Sequence, residues 1–139
     1  AGVTKLWTES LRIRDVTISK PEVGIKLHSD GGTESFAQSH LSNVFIDFPS
    51  QVGVDLQDGV NVSRAYWDNV VVWMKDEDSV GFRVAASLNG SRMGWSVESS
   101  VRGSEPESML ALEVLQGASH RLDVHGALVE QEKKPLLLG

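Results

Sequence analysis

The chain has 139 residues, 40% of them hydrophobic and 23% charged, which fits a single globular domain. Its net charge of −6 argues against a nucleic-acid surface. It has no 18-residue apolar run that would cross a membrane as a helix and no cysteine, which excludes disulfide and thiol chemistry.

Along the chain a short apolar pattern returns every 25 to 29 residues. It begins at Val16-Thr17-Ile18 and recurs at Val44-Phe45-Ile46, Val70-Val71-Val72, Trp95-Ser96-Val97 and Leu122-Asp123-Val124. A second series keeps step behind it: Gly24-Ile25-Lys26-Leu27, Gly53-Val54-Asp55-Leu56, Gly81-Phe82-Arg83-Val84, Met109-Leu110-Ala111-Leu112 and Pro135-Leu136-Leu137-Leu138. Period-2 alternation inside each unit indicates strands, and self-similarity at this period indicates a solenoid. Asp15, Asn43 and Asn69 each precede a first-series strand, where a side chain that tolerates turn conformations suits a corner and stacked copies can bond to one another. Gly24, Gly53 and Gly81 are expected to mark a second corner. A third, less regular stretch (Leu11 to Ile13, His40 to Leu41, Ala65 to Trp67) is expected to close each coil.

These segments predict an all-β right-handed parallel β-helix of about five coils in one domain, residues 1–139, with units near 11–38, 39–62, 63–90, 91–117 and 118–139. A jelly roll or sandwich would also have short alternating strands, but its strands need not repeat at this period. A solenoid needs caps over its open edges. Neither end supplies an obvious one, so the expectation is a segment of a longer protein or of a tight oligomer.

Stacking in this register assigns faces. Val16, Ile18, Val44, Ile46, Val70, Val72, Trp95, Val97, Leu122 and Val124 point inward, as do Ile25, Leu27, Val54, Leu56, Phe82, Val84, Leu110 and Leu112. Outward on the second strand, Lys26, Asp55 and Arg83 alternate in sign as a surface ion ladder. Outward on the first strand run the columns Thr17, Phe45, Val71, Ser96 and Ser19, Asp47, Trp73, Glu98. Phe45, Val71 and Trp73 make an apolar patch that an oligomer interface, a folded-back turn or a sugar ring could cover.

Units such as Asn43-Val44-Phe45-Ile46 followed by Gly53-Val54-Asp55-Leu56 resemble coils of the right-handed parallel β-helices of the pectate-lyase-like superfamily. The resemblance covers Leu11 to about Gly90 well. It implies polysaccharide binding or cleavage, and the pattern is most like a segment of a phage tailspike or tail-fibre receptor-binding protein. Such a resemblance implies a homotrimer on the virion surface or outside the cell, associating through Phe45, Val71 and Trp73 and recognising cell-surface polysaccharide. Neither a nucleic-acid nor a membrane partner is expected.

No hydrolase or lyase signature accompanies the pattern. A polysaccharide-degrading enzyme of the same fold, a glycoside hydrolase or lyase, is the alternative, and a glycosidase needs two carboxyl groups about 5 to 9.5 Å apart. Asp76-Glu77-Asp78 is most simply a solvated loop, and His28, His40, His120 and His125 lack metal-ligand spacing. No metal or cofactor is therefore expected. Two places combine aromatic faces with groups that bond sugar hydroxyls: Arg64 with Tyr66, Trp67 and Asp68, and Trp73 with Asp47. Packing of Tyr66 and Trp67 within the third strand is the competing reading.

Overall fold

The computed structural model describes residues 3–5, 8–30, 34–75, 79–99, 110–114, 124–125 and 136–138, and among them every regular element is a strand. The first coil holds β1 (Val3–Lys5), β2 (Thr8–Glu9) and β3 (Arg12–Ser19). The second holds β4 (Val23–Leu27), β5 (Glu34–Ala37) and β6 (His40–Asp47), and the third β7 (Val52–Leu56), β8 (Val60–Ser63) and β9 (Tyr66–Met74). β10 (Val80–Val84), β11 (Ser87–Asn89) and β12 (Arg92–Ser99) follow, then β13 (Leu110–Val114), β14 (Val124–His125) and β15 (Leu136–Leu138).

All pairings are parallel and join strands of successive coils, which is the signature of a β-solenoid. The first sheet runs β1-β4-β7-β10-β13-β15, the second β2-β5-β8-β11 and the third β3-β6-β9-β12-β14. From β3 to β12 the chain makes about three full turns, against the five coils expected; the remaining units contribute only β13, β14 and β15 among the described residues.

The expected columns form. Val44 pairs with Val70 and Val70 with Trp95, while Val54 lies between Ile25 and Phe82. Ile25, Leu27, Val44, Ile46, Val54, Leu56, Val70, Val72, Phe82, Val84, Trp95 and Val97 are all buried in one core. Each such side chain contributes about 1.5 to 3 kcal/mol, so the columns stabilise the stack without metal or disulfide. Val16 and Ile18, in the first-coil strand, are only half-buried.

The corners explain how strands follow one another so closely. Asp15, Asn43 and Asn69 have φ of 55°, 53° and 53°, left-handed values that bend β3, β6 and β9 in mid-strand. Asn43 Nδ2 donates to Asp15 Oδ1 at 3.0 Å, and Asn69 Nδ2 donates to Asn43 Oδ1 at 3.0 Å, a ladder of side chains across three coils. Ser10, Gln38, Arg64 and Gly90 repeat a left-handed residue directly after β2, β5, β8 and β11. At two of these corners the amide still reaches the next coil, Ser10 to the Ala37 carbonyl at 3.0 Å and Gln38 to that of Ser63 at 2.9 Å, which offsets a strain of about 1 to 2 kcal/mol per non-glycine residue.

Asn43→Gly is accordingly expected to cost less than Asn43→Ala. Both lose two side-chain hydrogen bonds, but alanine also meets the left-handed penalty, so thermal denaturation should separate the two variants by about 1 kcal/mol.

Three expectations need correction. Gly24, Gly53 and Gly81 do not turn a corner. They lie inside β4, β7 and β10, and at Gly24 and Gly53 the requirement for glycine is close approach: a Cβ at Gly24 would fall 2.5 Å from the Gly53 carbonyl oxygen and 2.6 Å from Ile46 Cγ2. The closing third strand is not the stretch at Leu11, His40 and Ala65. Leu11 and Ala65 lie outside the strands, and Ile13, His40, Leu41 and Trp67 lie in the leading halves of β3, β6 and β9, ahead of the Asn bend; the third side is β5, β8 and β11, whose inward column is Phe36, Val62 and Leu88.

The register beyond Ser99 also differs. Phe82 pairs with Leu112 and Val84 with Val114, two residues along from the expected pairing. Val124 pairs with Met93 and does not continue the Val97 column. Apolar residues at 110, 112 and 114 permit a slip of two, because such a slip keeps every side chain on its face. Leu122 lies outside the described residues.

Candidate functional site

The third sheet carries the candidate surface. Alternation sends every second side chain outward, and in-register stacking lines these residues up across coils about 4.8 Å apart. The bend at the Asn ladder divides the outer surface into two panels.

On the panel after the bend, Thr17, Phe45, Val71 and Ser96 are successive partners, as are Ser19, Asp47, Trp73 and Glu98. Both outward columns thus form as the repeat predicts. Phe45 is 39% exposed and Trp73 41%, while Val71 and Asp47 are half-buried. The turn after β6 does not bury this patch but adds to it. Phe48 takes φ of 55°, donates its amide to the Trp73 carbonyl at 2.7 Å and sets its ring 5.3 Å from the indole. Lys75 Nζ lies 5.7 Å from the Phe48 ring centre, so a cation borders the aromatic pair. Trp73 therefore offers an open aromatic surface with the carboxylates of Asp47 and Glu98 on adjoining coils.

On the panel before the bend, Arg12, His40, Tyr66 and Arg92 form one outward column, and Arg14, Ser42 and Asp68 the next. Tyr66 is 44% exposed, with the His40 ring 6.0 Å away on one coil and the Arg92 guanidinium 6.0 Å away on the other. A shallow depression opens here, lined by Arg12, Arg14, His40, Ser42, Tyr66 and Asp68, with Ile13 and Leu41 beneath.

Two residues of the site expected from sequence do not join it. Trp67 is 2% exposed, its Nε1 donating to Ser39 Oγ at 3.0 Å, and it belongs to the inward column of Ile13, Leu41 and Met93. It offers no face to a ligand, as the packing reading anticipates. Arg64 is exposed at the corner after β8 with φ of 51°, and it does not line the depression. The residues that do surround Tyr66 and Asp68 include Arg12, Arg14, His40 and Ser42, which sequence reasoning did not select. The signal for them was present: positions 12, 40, 66 and 92 are 26 to 28 residues apart, inside the 25- to 29-residue period of the core columns.

Elsewhere the polar groups read as structure. Lys26, Asp55 and Arg83 are in register, continued by Glu113, but Asp55 is only 6% exposed and accepts from Gln57 Nε2 at 2.9 Å. Ser91 Oγ donates to the Val62 carbonyl and accepts the Ala65 amide, pinning a corner. His28 lies 3.3 Å from the Asp30 carboxylate. Among the described residues no three His, Asp or Glu side chains gather to hold a metal ion. Asp76-Glu77-Asp78 and His120 lie outside the described residues, as does the side chain of His125.

Comparison of the chain with protein-family models, with curated proteins and with solved structures finds no match.

Proposed function

We propose that this solenoid is a structural and recognition module that binds cell-surface polysaccharide along the outer surface of its third sheet. The observation that carries the reading is Trp73, an exposed indole on a rigid strand, set in register between Asp47 and Glu98. Sugars are held by aromatic faces flanked by groups that bond several hydroxyls, and polar side chains ordered on a strand lose little entropy on binding. The Asn43 and Gly53 coil pattern adds the more specific proposal of a phage tailspike or fibre on the virion surface or outside the cell.

The test is a glycan-binding screen on the intact protein. Trp73→Ala is expected to weaken binding of the selected glycan by roughly 10- to 100-fold, since losing about 60 to 100 Å² of apolar contact at about 25 cal/mol per Å² costs about 1.5 to 2.5 kcal/mol. Unchanged affinity would remove Trp73 from the site. Release of new reducing ends or unsaturated products from the same polysaccharide would instead favour the degrading enzyme.

A second reading rests on the apolar patch of Phe45, Val71, Phe48 and Trp73, which suits self-association into a trimer. The two uses exclude each other at Trp73. Mass measurement in solution separates them, because an interface at this patch requires Trp73→Ser to shift the protein toward monomer.

A further inference from the structure

We infer that the depression before the Asn bend binds an anionic sugar, with the carboxylate or sulfate of the saccharide held between Arg12 and Arg14. This rests on the polysaccharide reading and specifies its chemical class.

Arg12 and Arg14 are both exposed and stand two residues apart on one face of β3, so their backbones are about 6.6 Å apart. Two like charges at that spacing repel. Among the described residues no carboxylate lies within 4.0 Å of either guanidinium. Asp15 follows Arg14 directly, but its Oδ1 accepts from Asn43. Asp68 is in the same column as Arg14 but two coils away, about 10 Å between backbones, and no ion pair joins the two.

A pair of unneutralised arginines on a chain of net charge −6 is a local exception to the molecule's electrostatics. Guanidinium groups match the planar, two-oxygen geometry of a carboxylate and the oxygens of a sulfate. The rest of the depression suits the remainder of a sugar. Ser42 and Asp68 continue the Arg14 column and can take hydroxyl groups. His40 and Tyr66 continue the Arg12 column and supply a ring edge and a phenol. The depression draws its lining from three successive coils, Arg12 and Arg14, His40 and Ser42, and Tyr66 and Asp68, so it can contact more than one unit of a polymer.

Three polymers with a common backbone isolate the anion: dextran, carboxymethyl dextran and dextran sulfate. Calorimetric titration of the intact protein is expected to show at least one charged polymer binding about 10-fold or more tightly than dextran, and the two charged arms tell carboxylate from sulfate. In the Arg12→Gln/Arg14→Gln variant that preference should fall by roughly 10- to 100-fold, as loss of charge-assisted hydrogen bonds predicts. Arg64→Gln, an exposed arginine outside the depression, should retain it. Equal affinity for all three polymers, or a preference that survives the double substitution, overturns the inference. If a neutral glycan from the screen binds through Trp73 and ignores both arginines, the polysaccharide reading stands without it; if no polysaccharide binds at all, both fall.

Discussion

Phe82→Ala is expected to lower the stability of the solenoid by about 3 to 5 kcal/mol, a large part of the roughly 5 to 15 kcal/mol that holds a domain of this size together. Phe82 sits in the first-sheet column between Val54 and Leu112, and its ring stacks on Trp95 at 4.5 Å with an angle of 11°. It therefore ties the first sheet to the third across the core. Removing the ring leaves a cavity against Trp95, whose buried Nε1 has no hydrogen-bond partner among the described residues. Chemical denaturation followed by tryptophan fluorescence reads the loss directly. A change below about 1 kcal/mol would mean that Phe82 is not packed between the sheets as described.

Gly53→Ala is expected to cost about 3 kcal/mol, at the upper end of overpacking penalties. The added Cβ would lie 2.6 Å from the Gly81 carbonyl oxygen and 2.6 Å from both methyl groups of Val72. One neighbour is backbone of the next coil, and the other is a β-branched side chain held inside the core, so neither can yield cheaply. By contrast Gly90→Ala meets no atom within 4 Å and suffers only its left-handed φ of 61°. The comparison separates close approach from conformational freedom: calorimetry should rank Gly53→Ala well below Gly90→Ala in melting temperature.

The long strands were readable because their alternation is long. Val44-Phe45-Ile46 and its copies show inward and outward positions several times over, and the Asp15, Asn43 and Asn69 corner marks where each begins its second half. β5, β8 and β11 have three or four residues, and only the column Phe36, Val62 and Leu88 places an apolar residue inward in all three, too little alternation to register as a strand. Gly53 looked like a corner because a glycine at a repeated position has two physical meanings, and only the packing of Val72 against it distinguishes them.

The candidate site divides in the same way. Asp47 and Trp73 were placed side by side from parity and period alone, and they are register partners. Tyr66 and Trp67 are neighbours on one strand, so one must face out and the other in. Matching Trp67 to Ile13, Leu41 and Met93 would have assigned it to the core. Arg12 and Arg14 share no local motif with Tyr66 and Asp68, as Arg64 does, because a solenoid gathers its surface from residues one coil apart.

The central claim is that outward residues one coil apart stand side by side, and the absence of cysteine allows it to be tested by cross-linking. In the Phe45→Cys/Val71→Cys variant the paired positions lie about 4.8 Å apart, within the roughly 4.4 to 6.8 Å that a disulfide spans. In Phe45→Cys/Trp73→Cys a two-residue offset raises the separation to about 8 Å, beyond reach without backbone movement. Mild oxidation followed by mass spectrometry under non-reducing conditions is expected to show an intramolecular disulfide in the first variant and free thiols in the second. Equal cross-linking of both pairs, or a disulfide only in the 45/73 pair, would contradict the register on which the surface depends.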